Sequence, residues 1–199
     1  MNLKGKVILI SGAGKGAGRK LAEALAEQGA VIAANDISPI NVDEVVAQIN
    51  ARGGKARAYV EDIAKKVGVQ ALVMAVEDEL GGIDVLINHA AVKPSASLLD
   101  MDEWDWHRTL DVNLTGPFLM IQSVGRVMRA KGGGQILNLV TGSSQGLNKE
   151  AGAYLSSKAG LRELSHQAER ELSPYGIRVQ AIENSENLVR DVLSALEAE

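Results

Sequence analysis

The sequence Ser11-Gly-Ala-Gly-Lys-Gly-Ala-Gly18 lies between the apolar run at residues 7–10 and a helical pattern that starts near Ala17. A strand that ends in a glycine-rich turn and restarts as a helix leaves the first N–H groups of that helix without intrahelical acceptors. Glycine permits positive φ and lets a ligand approach the backbone closely, so the pattern favours an anion-binding loop. An ordinary glycine-rich turn is the alternative, because such a loop alone is weak evidence.

The composition fits one folded domain with a small-molecule partner. The 199 residues are 46% apolar and 23% charged, enough for one buried core, so a single domain over residues 1–199 is predicted. The formal net charge of −4 and the lack of a Lys/Arg stripe argue against nucleic acid. With no cysteine and three scattered histidines, neither a disulfide framework nor a metal site is expected. No segment reaches the ~20 apolar residues of a membrane span, so we expect a soluble cytoplasmic protein.

Short β-branched runs alternate with longer helical patterns along the chain, which is typical of βαβ units around a parallel sheet. Strands are predicted at residues 6–10, 30–35, 56–60, 83–88, 135–140 and 177–182. Helices are predicted at residues 17–28, 40–52, 65–80, 101–131, 151–172 and 188–199. The predicted fold class is α/β: a single Rossmann-type, doubly wound parallel sheet with helices on both faces.

Asp36 ends the second predicted strand, about 20 residues after the start of the glycine-rich loop, where a dinucleotide-binding fold places an acid on the adenosine ribose hydroxyls. Its charge would repel a 2′-phosphate, so Asp36 favours NAD over NADP. Lys15 inside the loop could meet that phosphate, which keeps NADP possible. The alternative role for Asp36 is to cap the turn before Ser38 and Pro39.

A Gly-Pro pair at residues 116 and 117 interrupts the fourth helical pattern. Proline inside a helix costs ~3 kcal/mol or more, and Pro117 lacks the N–H that the carbonyl of Asn113 would accept. That carbonyl is therefore free to bind water. The alternative is a packing kink with no chemical role.

Tyr154 and Lys158 are four residues apart in the predicted helix 151–172, so their side chains share one helix face. A free tyrosine ionises near pH ~10, and a neighbouring ammonium favours the phenolate, which can serve as a general acid or base. The preceding strand ends at Thr141, and Ser143 follows shortly after. Hydroxyl groups are thus expected at the carboxyl edge of the sheet, where open α/β sheets bind ligands.

These segments, in this order, resemble those of the short-chain dehydrogenase/reductase family. The loop at residues 11–18 resembles the family's TGxxxGxG loop, with serine in the first place. Glu61-Asp62-Ile63 resembles its acidic adenine contact, and Asn88-His89-Ala90-Ala91 matches its NNAG motif in part. Tyr154-Leu-Ser-Ser-Lys158 resembles its YxxxK pair.

The resemblance implies an oxidoreductase that transfers a hydride between a nicotinamide cofactor, with NAD preferred, and an alcohol or ketone. It implies that the Asn113 carbonyl holds a water in a proton relay to Lys158. The family's catalytic serine position falls on Thr141, which we prefer to Ser143 as the residue that holds the substrate oxygen. The implied cofactor contacts are Gly12, Gly14, Lys15, Gly16, Ala17, Gly18, Asp36, Asp62, Ile63, Asn88, Ala90, Tyr154 and Lys158.

The resemblance covers about residues 3–183 and weakens after the last predicted strand. Where the family reads NAxxPG, this chain reads Gln180-Ala-Ile-Glu-Asn-Ser185, and the family's seventh strand and substrate lid are not expected. Residues 186–199 are predicted to form an amphipathic helix that packs back on the domain. This motivates a rival hypothesis, a chain that binds dinucleotide with little or no catalysis. Pairing through the two long predicted helices, 101–131 and 151–172, implies a homodimer or homotetramer.

Overall fold

The structure is a computed structural model that describes residues 2–141 and 150–197. Over these residues, strands and helices alternate as the sequence predicts. The strands are β1 (Val7–Ser11), β2 (Val31–Asp36), β3 (Lys55–Val60), β4 (Val85–Asn88), β5 (Gly134–Val140) and β6 (Ile177–Glu183). The helices are α1 (Gly16–Glu27), α2 (Pro39–Ala51), α3 (Lys66–Leu80), α4 (Glu103–Leu110), α5 (Gly116–Lys131), α6 (Gly152–Leu172) and α7 (Leu188–Glu197).

The sheet has the strand order β3-β2-β1-β4-β5-β6, and every neighbouring pair is parallel. The predicted α/β fold with a doubly wound parallel sheet is confirmed. The order reverses at β1, and open α/β sheets bind ligands in the crevice outside the carboxyl ends at such a point. At this edge Ser11 is in register with Asn35 of β2 and Asn88 of β4. The glycine-rich loop therefore leaves the sheet where a ligand is expected.

Both faces of the sheet are covered by helices, as the sequence predicts. In β1, Ile8 and Ile10 join one buried cluster with α1, α2 and α7. Val7 and Leu9 join a second cluster with α3, α5 and α6. Since successive strand residues point to opposite faces, two apolar faces require the nearly continuous apolar runs that the central strands show.

The predicted strand ends agree with the structure to within two residues. The predicted helix over residues 101–131 begins at Glu103 and runs without a break to Lys131, but it contains a π-helical segment, Asp111–Thr115, between α4 and α5. The N–H of Gly116 donates to the carbonyl of Asp111, five residues earlier. Pro117 has no N–H to give to the fourth residue before it, and the widened turn accommodates this loss.

The predicted C-terminal helix is present as α7, and it packs back on the domain. Leu188, Val192 and Leu196 are buried in the cluster that contains Leu21 of α1. The Gln135 side-chain amide in β5 also donates to the carbonyl of Ala195 at 2.8 Å. None of the described helices is long and apolar enough to cross a membrane.

Candidate functional site

The glycine-rich loop is packed so closely that a Cβ would lie less than 3.0 Å from a neighbouring atom at three of its positions, Gly12, Gly14 and Gly18. A Cβ on Gly12, which has a φ of 71°, would lie 2.8 Å from the Cα of Ala90, and a Cβ on Gly18 would clash with the Gly12 carbonyl oxygen. Above Gly16, by contrast, a Cβ would meet nothing within 4 Å. Lys15, the N-cap of α1, provides no side-chain hydrogen bond. The N-terminus of α1 thus has no side-chain cap and is open at Gly16, which fits an anionic group.

Asp36 lies at the carboxyl end of β2, directly beside this loop. One carboxylate oxygen accepts the N–H of Gly14 at 2.9 Å, and the other accepts the N–H of Ser38 at 3.0 Å. The turn-capping alternative from the sequence is therefore present. A carboxylate oxygen can accept more than one hydrogen bond, so the cap leaves acceptor capacity for a ribose hydroxyl.

Asp62 and Ile63 follow β3 and have different environments. The carboxylate of Asp62 accepts the N–H of Ala64 at 3.0 Å and lies 3.8 Å from the guanidinium of Arg108. The Ile63 side chain is buried in the core and packs against Gly116. Of these two predicted adenine contacts, only the Asp62 side chain is partly exposed to solvent.

The segment after β4 is held against the glycine-rich loop. The Ser11 hydroxyl accepts the N–H groups of His89 and Ala90 at 3.1 and 3.3 Å. The Asn88 amide nitrogen donates to Asn138 at 2.8 Å, while its carbonyl oxygen is buried without a partner. The Nδ1 atom of His89 is also buried without a partner. Among the residues that the structure describes, neither of these buried polar atoms has a hydrogen-bond partner, which fits a polar group bound at this edge of the sheet.

The sequence predicts no role at the site for His89, because it occupies a position where the family motif has asparagine. Burial lowers the pKa of His89 to about 4, and the charge of Lys158 acts in the same direction, whereas Asp36 opposes both. The imidazole is therefore neutral near pH 7. Its ring packs against Gly18, so it supports the first turn of α1.

Asn113 lies in the π-helical segment and is fully buried. Its amide oxygen accepts the N–H of Val92 at 2.8 Å, and its amide nitrogen donates to the Val92 carbonyl at 2.9 Å and to the Ser157 hydroxyl at 3.1 Å. The Asn113 side chain thus ties the segment after β4 to the helix that carries Lys158. No sequence pattern indicates this side-chain role, and the role of the Asn113 carbonyl stays a prediction.

The structure brings Thr141, Tyr154 and Lys158 together at the carboxyl end of β5. The hydroxyl oxygens of Thr141 and Tyr154 are 2.9 Å apart. The Lys158 ammonium is 5.9 Å from the centroid of the Tyr154 ring and donates to the Leu139 carbonyl at 2.8 Å. Lys158 is only 4% exposed, and burial lowers its pKa to about 8. Ser143 lies outside the described residues.

Two further residues near this group were missed by the sequence analysis. The Arg162 guanidinium donates to the carbonyl of Thr141 at 3.0 Å and lies 3.4 Å from the Glu183 carboxylate. The Lys93 ammonium lies 5.3 Å from the centroid of the Tyr154 ring. Neither residue belongs to a motif, so sequence spacing could not have found them. Over the described ranges, no group of three His, Asp or Glu residues is arranged to hold a metal ion.

The comparisons with known proteins agree with this architecture. A model of the short chain dehydrogenase family matches residues 6–186, and the chain therefore belongs to that family. It is 38% identical to D-threitol dehydrogenase of Mycolicibacterium smegmatis over 180 residues, which cover 90% of this chain and 69% of the relative.

Two solved structures are similar to the fold. The crystal structure of NAD⁺-bound xylitol dehydrogenase has a TM-score of 0.87 at 33% identity, covering 92% of this chain and 71% of that one. A metagenomic short-chain oxidoreductase in complex with NADP has a TM-score of 0.90 at 28% identity, and here the match covers 98% of this chain and 91% of that one. Structural relatives thus include both an NAD⁺ and an NADP complex.

Proposed function

We propose that the chain is an oxidoreductase that interconverts an alcohol and a ketone with a nicotinamide cofactor, NAD in preference to NADP. The observation that carries this proposal is the 2.9 Å contact between the hydroxyls of Thr141 and Tyr154, with the buried Lys158 ammonium beside the same ring. The group lies at the same sheet edge as the glycine-rich loop. A cofactor whose phosphates are bound by that loop would therefore extend along this edge toward the hydroxyls of Thr141 and Tyr154.

Each residue of the group has a proposed role in the oxidation of an alcohol. The Thr141 hydroxyl donates a hydrogen bond to the substrate oxygen, and the Tyr154 oxygen takes the hydroxyl proton. A protonated Lys158 stabilises the Tyr154 phenolate that accepts this proton, and the tyrosine is neutral after the transfer. Asn113 fixes the helix that carries Lys158 through Ser157. When bound, the nicotinamide accepts the hydride from the substrate carbon.

The residues present fit NAD. The open N-terminus of α1 would hold the pyrophosphate, and the buried polar atoms of Asn88 and His89 lie in the segment that is held against the glycine-rich loop. The Asp36 carboxylate would accept hydrogen bonds from the adenosine ribose and repel a 2′-phosphate. Lys15 is the residue that would favour NADP instead.

A homodimer through α5 and α6 is part of the proposal. Phe118 and Tyr175 line a groove of about 370 Å³ between these helices, and both are exposed aromatic residues. Light scattering tests the state directly. We expect a dimer mass or a multiple of it for the wild type, and a shift toward monomer for Phe118→Glu. A monomeric wild type would contradict this part of the proposal.

The function is tested by titrating NAD and NADP against the tryptophan fluorescence, since Trp104 lines a cleft with Lys15 and Ala91. A panel of secondary alcohols is then assayed with the wild type and Tyr154→Phe. We expect tighter binding of NAD and turnover that depends on Tyr154. Binding without Tyr154-dependent turnover would support the rival hypothesis of a dinucleotide-binding chain, and binding of neither nucleotide would contradict both.

A further inference from the structure

Lys93 places a second cation beside the proposed catalytic tyrosine. Its ammonium is 5.3 Å from the centroid of the Tyr154 ring, compared with 5.9 Å for the Lys158 ammonium. Both distances lie within the ~6 Å over which a cation is attracted to an aromatic face. Lys158 is buried, whereas Lys93 is exposed. Of these two ammonium groups, Lys93 is the one that a molecule entering from solvent can touch.

The backbone on both sides of Lys93 is fixed by hydrogen bonds. Val92 is held at its N–H and its carbonyl by the buried Asn113 amide. On the other side, the N–H of Ala96 donates to the Glu150 carbonyl at 3.3 Å, and the Ser95 hydroxyl donates to the Glu150 carboxylate at 3.1 Å. The Lys93 side chain thus starts from a defined point of the backbone, and its ammonium lies over the Tyr154 ring. A group anchored in this way orients a ligand more sharply than a lysine on a loose loop.

The charge of Lys93 is not neutralised by a close carboxylate. Over residues 2–141 and 150–197, none of the ion pairs within 4.0 Å involves Lys93. Two other cations near the site are paired, Arg108 with Asp62 and Arg162 with Glu183. An ammonium that lies over the Tyr154 ring, carries three donors and forms no ion pair with the described carboxylates matches a ligand that carries its own negative charge.

We propose that Lys93 is a substrate-binding residue that binds a carboxylate on the substrate, so that the preferred substrates are hydroxy acids and their oxo forms rather than neutral alcohols. This inference rests on the proposed function, because the substrate reaches Lys93 only if it binds at Tyr154. The competing anion is a cofactor phosphate, since Lys93 also lines a cleft of about 440 Å³ together with Lys15.

The binding test needs no turnover. Malonate and the neutral malonamide are titrated by calorimetry into NAD-saturated wild type, Lys93→Met, Lys93→Arg and Lys55→Met. Lys55 is an exposed lysine that starts β3 at the opposite end of the sheet, so it serves as the matched control. We expect malonate to bind the wild type and Lys55→Met equally, Lys93→Arg nearly as well, and Lys93→Met at least tenfold more weakly. Failure of malonate to bind the wild type, or equal binding to Lys93→Met, would overturn the proposal.

The kinetic test separates substrate binding from other roles of Lys93. We expect Lys93→Met to lower kcat/KM at least tenfold for glycerate and less than threefold for glycerol. An equal loss for both substrates would show that Lys93 acts through Tyr154, and a tenfold loss of NAD affinity would assign it to a cofactor phosphate; either result overturns the proposal. Lys93-dependent malonate binding without turnover of any alcohol would leave the anion site standing while the proposed function fails.

Discussion

The hydroxyl oxygens of Thr141 and Tyr154 lie 2.9 Å apart, although one residue follows a strand and the other lies in the first turn of a helix. The carbonyl of Thr141 is held by Arg162, two turns further along that helix. Two residues of α6 therefore orient Thr141: Tyr154 contacts its hydroxyl, and Arg162 binds its carbonyl. Changes at Thr141 or Arg162 are expected to alter catalysis.

Replacing Thr141 tests its hydroxyl. Thr141→Val keeps the shape but removes the hydrogen bond, and we expect kcat to fall by about 10²–10³, the usual effect of losing one such donor. Thr141→Ser should keep most of the activity. Steady-state kinetics with saturating cofactor checks both variants. Ser143→Ala is the comparison, and a larger loss for Ser143→Ala than for Thr141→Val would show that Ser143 holds the substrate oxygen.

Arg162→Met tests whether the guanidinium positions Thr141. Without the bond to the Thr141 carbonyl, the hydroxyl pair should be less well aligned, so kcat is expected to fall roughly 10- to 100-fold. The Kd for NAD should stay the same, because Arg162 is proposed to act on Thr141 and not on the cofactor. Arg170→Met, an exposed position on the same helix, is the control. Equal kinetics for the two variants would rule out the positioning role.

Asp36→Asn tests the proposed cofactor preference. The amide keeps an oxygen for the N–H of Gly14 but loses the charge that would repel a 2′-phosphate. We expect the ratio of NADP affinity to NAD affinity to rise roughly tenfold, a change of about 1.4 kcal/mol. Fluorescence titration of both nucleotides measures it. Damage to the loop would weaken the binding of both nucleotides alike. An unchanged ratio of NADP affinity to NAD affinity would therefore contradict the proposed role of the Asp36 charge.

Lys158→Met should stabilise the free protein. Burial lowers the pKa of Lys158 from 10.5 to about 8, so at pH 7 the folded state carries the penalty of a buried charge. The lost hydrogen bond to Leu139 offsets part of the gain. We expect the free energy of unfolding to rise by about 1–2 kcal/mol, or roughly 2–8 °C in Tm.

The difference in free energy of unfolding between Lys158→Met and the wild type should change with pH in a defined direction. Between pH 8 and 10.5 the unfolded lysine binds more protons than the folded one, so this group makes the free energy of unfolding of the wild type rise with pH. The advantage of Lys158→Met should therefore be full below pH 8 and shrink up to pH 10.5. Thermal unfolding at several pH values measures both proteins. A constant difference, or a less stable variant at pH 7, would contradict this account.

The features that depend on local sequence were predictable. Glycine spacing after an apolar run identified the loop, and the i, i+4 spacing put Tyr154 and Lys158 on one face of α6. The position of Asp36 predicts two roles, a turn cap and a contact with the adenosine ribose. The structure shows the turn cap, and the carboxylate oxygens keep acceptor capacity for the ribose. These predictions concern short stretches whose conformation is set by neighbouring residues.

The remaining features depend on long-range packing. Pro117 indicated a disturbed helix, but the five-residue π-helical segment also involves the Asn113 side chain, which binds Val92, 21 residues earlier. The contact of Arg162 with Thr141 likewise spans 21 residues. Such contacts require the strand order and the register of α6 against β5, which no local pattern contains. The position of Lys93 above Tyr154 has the same origin.

The most direct test of the account is hydride transfer itself. Cofactor deuterated at the reactive carbon of its nicotinamide is incubated with a ketone, and mass spectrometry measures deuterium at the carbinol carbon of the product. The account predicts transfer by the wild type and a rate at least 100-fold lower for Tyr154→Phe, at equal affinity for the reduced cofactor. Transfer by Tyr154→Phe at the wild-type rate, or no transfer by a wild type that binds cofactor, would contradict it.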